Sequence, residues 1–162
     1  PAQIEVIIHP ESIVHSMVAF HDGGVIAHLG APDMRHPIGF ALNWPARAAL
    51  PVARLDLARL GSLTFRAPDL RRWPALRLAG EVMAVRGLAG AAFNAAKEIA
   101  LDRFIAGQLG FMAMAGVVED TLARLSAETS LGNAASGLED VLAMDHLARI
   151  RAAEAADNRA GG

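Results

Sequence analysis

Six histidines are the first residues of this chain whose chemistry invites attention, and three of them, His9, His15 and His21, recur at intervals of six. Imidazole is a common metal ligand, so the spacing suggests a metal site. An extended strand rises about 3.3 Å per residue, which separates neighbours in this series by roughly 20 Å. They cannot share an ion locally. No His-Glu-x-x-His helix and no carboxylate pair at ligand spacing accompanies them, so no autonomous metal site is expected. Gly23, Gly24 and Gly30 do not form G-x-G-x-x-G, and they lie between strand-like runs where a dinucleotide fingerprint needs a following helix. The chain also lacks a G-x-S-x-G elbow and a P-loop. His15 stands out because it projects from an apolar strand, where the plain alternative is a core histidine with one hydrogen-bond partner. Met34 has two readings, as a wall of a ligand pocket or as core, and Asp33 reads as a helix-entry residue whose charge suits the dipole.

The elements that would carry these residues change character along the chain. A short apolar strand is expected over Ile4–Ile8, a second over Ser12–Phe20 and a third over Val25–Leu29. Asp22-Gly23-Gly24 between the last two signals an antiparallel hairpin, because glycine accepts the positive φ that primed turns demand. Alternation puts Val14, Ser16, Val18 and Phe20 on one face and Ile13, His15, Met17 and Ala19 on the other. Both faces are largely apolar, so a well-covered strand is expected. Pro32 to Leu42 reads as a short helix that Trp44-Pro45 stops. The next stretch, 46–70, reads as a linker with one strand around Leu63-Thr64-Phe65.

From 71 to 162 the pattern is helical. Pro74 suits a first turn, and Leu78, Val82 and Val85 form a stripe ending at a C-cap, Gly87. A helix over Ala91–Ala106 would bury Leu101, Phe104 and Ile105. The next has Met114, Val117, Val118, Leu122 and Leu125 at i, i+3, i+4 spacing. Ser136 with Glu139 forms a capping-box pattern, and Asp145 would cap a further segment.

Composition bounds the function. Fifteen basic and 17 acidic residues give a net charge of −2, with no basic face suited to nucleic acid. Hydrophobic residues make up 53% of the chain, much of it alanine, and the mean hydropathy is +0.31. The longest apolar run, Phe111–Val118, is far below the roughly 20 residues that span a bilayer. No secretory signal is read, cysteine is absent, and the expected compartment is the cytoplasm.

The run His9-Pro10-Glu11-Ser12-Ile13-Val14-His15-Ser16-Met17-Val18, then Asp22-Gly23, then Leu29-Gly30-Ala31-Pro32-Asp33-Met34-Arg35, resembles a block of the 1-deoxy-D-xylulose 5-phosphate reductoisomerase family in order and spacing. The resemblance continues through Pro37-Ile38, Trp44-Pro45, Leu55-Asp56-Leu57, Leu63-Thr64-Phe65, Ala67-Pro68-Asp69 and Asn94-Ala95-Ala96-Lys97-Glu98, and covers practically the whole chain. Ala31 stands where the family commonly has Glu, and Lys97 where it usually has Asn.

The resemblance implies an α+β chain: an antiparallel β-hairpin portion of a catalytic domain (1–45), a linker (46–70) and an all-α C-terminal helical bundle (71–162). It implies part of an enzyme that converts deoxyxylulose phosphate and NADPH to 2-C-methyl-D-erythritol 4-phosphate with Mg²⁺ or Mn²⁺, in isoprenoid precursor synthesis, as a homodimer. The family's nucleotide fingerprint, acidic metal ligands and phosphate-holding Ser, Asn and Lys lie upstream of the matched segment. The chain alone is therefore expected to be inactive, to bind neither NADPH nor metal, and to contribute no metal ligand. What it would contribute is pocket lining, from His15, Ser12, Pro32 and Met34, with Pro32 and Met34 in the nicotinamide vicinity. The other reading is a non-catalytic helical interaction or dimerisation module.

Overall fold

The computed structural model describes residues 3–160. The chain divides into two compact units, Glu5–Pro68 and a helical one from Asp69 onward. Each stands on different physics.

The first unit holds two antiparallel strands, β1 (Val14–Ala19) and β2 (Val25–Leu29), with Met17 opposite Ala27 and Val18 opposite Ile26. The connection is a three-residue loop, not a two-residue primed turn. The Gly23 amide donates to the Phe20 carbonyl at 3.1 Å, the Phe20 amide to the Gly24 carbonyl at 2.9 Å, and Gly23 has φ +87°. His21 and Asp22 keep negative φ, so the glycine is spent on the left-handed residue that follows an ordinary turn. Asp22 then caps the Gly24 amide at 2.9 Å.

Neither face of the hairpin is covered within its unit. Val18, Val25 and Ile26 are 56%, 57% and 66% exposed, contrary to the expectation of a well-covered strand. Ile13 is the one buried apolar side chain of this unit among the described residues. The strand expected over Ile4–Ile8 is reduced to a single bridge, Ile8 to Arg66, and that bridge is also all that forms near Leu63-Thr64-Phe65. Side chains tie the junction instead: His9 Nδ1 donates to the Thr64 carbonyl at 2.9 Å, its Nε2 accepts from the Ile13 amide at 3.1 Å, and its ring stacks on Phe65. The Thr64 amide donates to Glu11 at 3.2 Å, and hydrogen bonding from Thr64 holds that carboxyl below the usual Glu range.

Helix α1 (Arg35–Asn43) starts later than Pro32 because Asp33 organises its entry. The Asp33 carboxylate accepts from the Arg35 amide at 2.9 Å and from the Arg35 guanidinium at 2.9 and 3.0 Å. A single-turn helix, α2 (Leu57–Leu60), is capped by Asp56, whose side chain accepts from the Arg59 amide at 3.1 Å.

The helical unit contains α3 (Pro74–Val85), α4 (Ala89–Ile105), a 3₁₀ turn (Phe111–Ala113), α5 (Met114–Glu128) and α6 (Leu138–Ala160). Pro74 opens α3 as expected, but the cap is Arg86 at φ +64°, with Gly87 following at φ +54°. Gly87 is needed for a close approach as well: a Cβ there would come within 2.6 Å of the Gly132 backbone. Leu101, Phe104 and Ile105 do not form the buried face of α4; they are 40%, 40% and 72% exposed. Ala89, Ala92, Ala95, Ala96 and Ala100 are buried there instead. They share two clusters with Ala148, Ala152 and Ala156 of α6, together with Leu78, Val117, Val118 and Leu125. Small side chains let helix axes approach closely, so apolar character alone picked the wrong face of α4. Thr121 is buried with them, its hydroxyl donating to the Val117 carbonyl at 2.7 Å.

Helix α6 is one continuous 23-residue element, and Asp145 caps nothing. It pairs with Arg149 at 2.7 Å, one turn on, and Arg149 also reaches Glu98 of α4 at 2.7 Å. The box at the start of α6 uses Asp140 in place of Glu139: its carboxylate accepts from the Ser136 amide at 2.8 Å and hydroxyl at 2.6 Å. Further pairs rim the bundle, including Arg159–Asp120 at 2.6 Å and Arg77–Glu119 at 2.6 Å. Exposed pairs are individually worth about 0–1 kcal/mol, so they fix helix register more than they hold the core.

Overpacking the alanine seam with Ala152→Leu should cost about 1–3 kcal/mol in chemical denaturation, while Leu101→Ala should stay within about 1 kcal/mol. The reverse order would contradict the alanine core. The Asp33 carboxyl is held down to about 2 by hydrogen bonds from Arg35. A folded-state pKa below the unfolded value means that the stabilisation is complete above the ordinary Asp range and disappears as pH falls toward 2. An NMR titration should place Asp33 near that value and return it toward the ordinary Asp range in Arg35→Gln.

Candidate functional site

His15 sits where β1 departs from regular alternation. Val14 pairs with Leu29 and Ser16 with His28, which leaves His15 as the extra residue of a bulge. A bulge re-aims a side chain that plain alternation would have sent to the opposite face. The His15 ring lies 5.5 Å from that of His28, the cross-strand partner of Ser16. His15 and Ser16, assigned to opposite faces by alternation, thus share one neighbour.

The bulge ties His15 to the loop that follows β2. Its Nε2 lies 3.1 Å from the Gly30 carbonyl oxygen, and the Gly30 amide donates to the Ile13 carbonyl at 3.0 Å. Gly30 is buried, and a Cβ on it would meet His15 and His36 at 3.7 Å, so both imidazoles close over this residue. Ala31, Pro32, Asp33 and Met34 follow directly. The Asp33 amide donates to the Ala31 carbonyl at 2.8 Å, folding the chain tightly around Pro32. Met34 becomes the residue before α1 and is 70% exposed.

The four residues singled out from the sequence therefore occupy two connected places. His15, Pro32 and Met34 are joined through Gly30 and the Asp33 turn. Ser12 belongs to the tight turn before β1, with φ +52° and its amide donating to the His9 carbonyl at 3.2 Å. All four are exposed in this chain, so they line an open surface and enclose nothing by themselves. Among the described residues, no group of three or more His, Asp or Glu side chains is arranged to hold a metal ion.

Two neighbours of this surface were not singled out from sequence. His36, in the first turn of α1, has a buried Nε2 with no hydrogen-bond partner among the described residues. His28 and His36 also border a cleft of about 570 Å³ whose other walls include Phe40, Arg47, Leu50 and Arg54. Gly39 makes that cleft possible, because a Cβ there would collide with the Leu50 side chain at 2.6 Å. No sequence motif marks any of these residues; only the return of 46–54 onto α1 gathers them.

Comparison with known proteins identifies what this arrangement belongs to. Residues 29–151 match the family model described as the DXP reductoisomerase C-terminal domain. The chain is 65% identical over 159 residues to the 1-deoxy-D-xylulose 5-phosphate reductoisomerase of Cereibacter sphaeroides, covering 98% of this chain and 40% of that protein. It is 62% identical over 161 residues to that of Ruegeria pomeroyi, covering 99% and 41%. Among solved structures, it resembles the Zymomonas mobilis reductoisomerase in complex with NADPH, with TM-score 0.83 and 44% identity over 94% of this chain and 39% of that one. A reductoisomerase in complex with NADPH, fosmidomycin and magnesium gives TM-score 0.85 at 39% identity, over 96% and 39%. The chain spans about 40% of the length of the curated relatives it matches. With its α+β hairpin, its helical unit and a family match over most of its length, the chain belongs to the 1-deoxy-D-xylulose 5-phosphate reductoisomerase family.

Proposed function

We propose that this chain is the C-terminal portion of an enzyme that converts 1-deoxy-D-xylulose 5-phosphate to 2-C-methyl-D-erythritol 4-phosphate with NADPH and Mg²⁺ or Mn²⁺. The supporting observation is 65% identity across 98% of the chain to a reductoisomerase. In this reading residues 1–45 end the catalytic domain, 46–70 lead out of it and 71–162 form the C-terminal bundle. The complete protein works as a homodimer in the cytoplasm.

The role of the chain is to wall the site. His15, Ser12, Pro32 and Met34 line the substrate and nicotinamide pocket, with Pro32 and Met34 nearest the nicotinamide. The bulge at His15 sets the Gly30 carbonyl, and the Asp33–Arg35 clamp sets where Met34 enters α1. Together they hold an apolar wall that excludes water from the reacting groups. The chain's exposed apolar hairpin, including Val18 and Ile26, supports the same reading, because such a surface wants the covering that the upstream portion of the enzyme would provide. No residue here is assigned to the metal. In the complete enzyme a bound NADPH would supply the hydride and a divalent ion would supply Lewis-acid chemistry, with the residues that hold them lying upstream of this chain.

On this reading the 162-residue chain alone should turn nothing over. NADPH oxidation with deoxyxylulose phosphate and Mn²⁺ tests this: the full-length protein is expected to be active and the isolated chain silent. Turnover by the isolated chain would overturn the dependence on the upstream half. In the full-length enzyme, Met34→Ala should lower kcat/KM about tenfold, the equivalent of about 1.4 kcal/mol of lost apolar contact. An unchanged kcat/KM would remove Met34 from the pocket.

A further inference from the structure

We propose that the cleft between α1 and the segment 46–54 binds a small phosphate-bearing molecule through Arg47 and Arg54. Its charge is lopsided: Arg47, Arg54, His28 and His36 border it, and no acidic side chain does. In the helical unit Arg77, Arg103, Arg124, Arg149, Arg151 and Arg159 each have a carboxylate partner, while among the described residues Arg72 and Arg86 have none. Among the described residues neither Arg47 nor Arg54 has one either. Arg47 and Arg54 line one hollow with no carboxylate among its walls, and a ligand of opposite charge fits that lining.

The geometry suits a phosphate. The Arg47 guanidinium lies over the Phe40 ring, 4.5 Å from its centroid, which occupies its face and leaves its N–H edge free to donate. Phe40 is itself braced edge-on by Trp44 at 5.3 Å. A planar fork held this way matches a phosphate oxygen pair, and two such cations balance a dianion where a carboxylate would balance only one. The volume, about 570 Å³, is that of a small-molecule pocket, and Phe40 and Leu50 give it an apolar wall for the organic part of the ligand. The cleft would bind such a ligand whether or not the function proposed above holds.

The test uses the full-length protein with its histidine rings isotopically labelled, titrated with inorganic phosphate and followed by NMR at His28 and His36. Saturable shifts at both rings are expected, and Arg47→Gln together with Arg54→Gln should weaken that saturation by at least about tenfold. Arg66→Gln, outside the cleft, should leave it unchanged and serves as a control for general charge loss. Arg54→Gln alone, checked by its melting curve, covers the case of a double variant that does not fold. The proposal is overturned if the wild-type rings do not respond to phosphate, if acetate shifts them at equal concentration, or if folded variants saturate as the wild type does.

Discussion

Alanine has too little side chain to interlock two helices; what it offers is proximity. In the helical unit α4 and α6 bring Ala96, Ala100, Ala152 and Ala156 together in one cluster, and Ala92, Ala95 and Ala148 in another, all with essentially no exposure. Larger side chains then close the seam from the flanks: Leu78 from α3, and Val117, Val118 and Leu125 from α5. The polar rim follows from the same approach. Arg149 of α6 can reach Glu98 of α4 at 2.7 Å, and Arg103 of α4 can reach Asp157 of α6 at 2.9 Å, because no bulky row separates the helices.

The hairpin unit is built on the opposite principle. It buries Ile13 and very little else, and is shaped by hydrogen bonds: His9 to Thr64, Asp22 to Gly24, Asp33 to Arg35. Two strands with no packed face are at most marginally stable in water. The positions proposed to line the site sit in this unit, where local polar contacts set geometry while the apolar faces remain open. A wall of an active site benefits from that division, because its surface can be shaped for a ligand without disturbing a core.

Much of this was legible in the sequence where a residue's own chemistry decides its place. Asp22-Gly23-Gly24 announced the hairpin, Pro74 the start of α3, and the i, i+3, i+4 stripe of Val117, Val118 and Leu125 the inner face of α5. The run from His9 to Pro45 carried the family. What sequence could not show depends on neighbours. Leu101 and Ile105 looked buried because they are apolar, yet alanine won the inner face of α4 on size. Asp145 looked like a cap but had an arginine one turn away. Ile4–Ile8 had strand-like residues, yet among the described residues it forms only the bridge of Ile8 to Arg66. The cleft residues Arg47 and Arg54 carried no motif at all, since it is the fold that brings both to the walls of one cleft.

The bulge at His15 has a bearing on inheritance. An extra residue in one strand cannot be gained or lost by exchanging one amino acid for another; it takes an insertion or a deletion in the gene. Substitution can therefore change which side chain hangs over Gly30, histidine or something else, while the offset that suspends it there persists. Deleting the codon for His15 would restore an unbroken ladder while leaving Val14 opposite Leu29 and Ser16 opposite His28. The position is thus shielded from gradual drift in a way that its identity is not, and descendants of this chain would inherit the place even where they had lost the histidine.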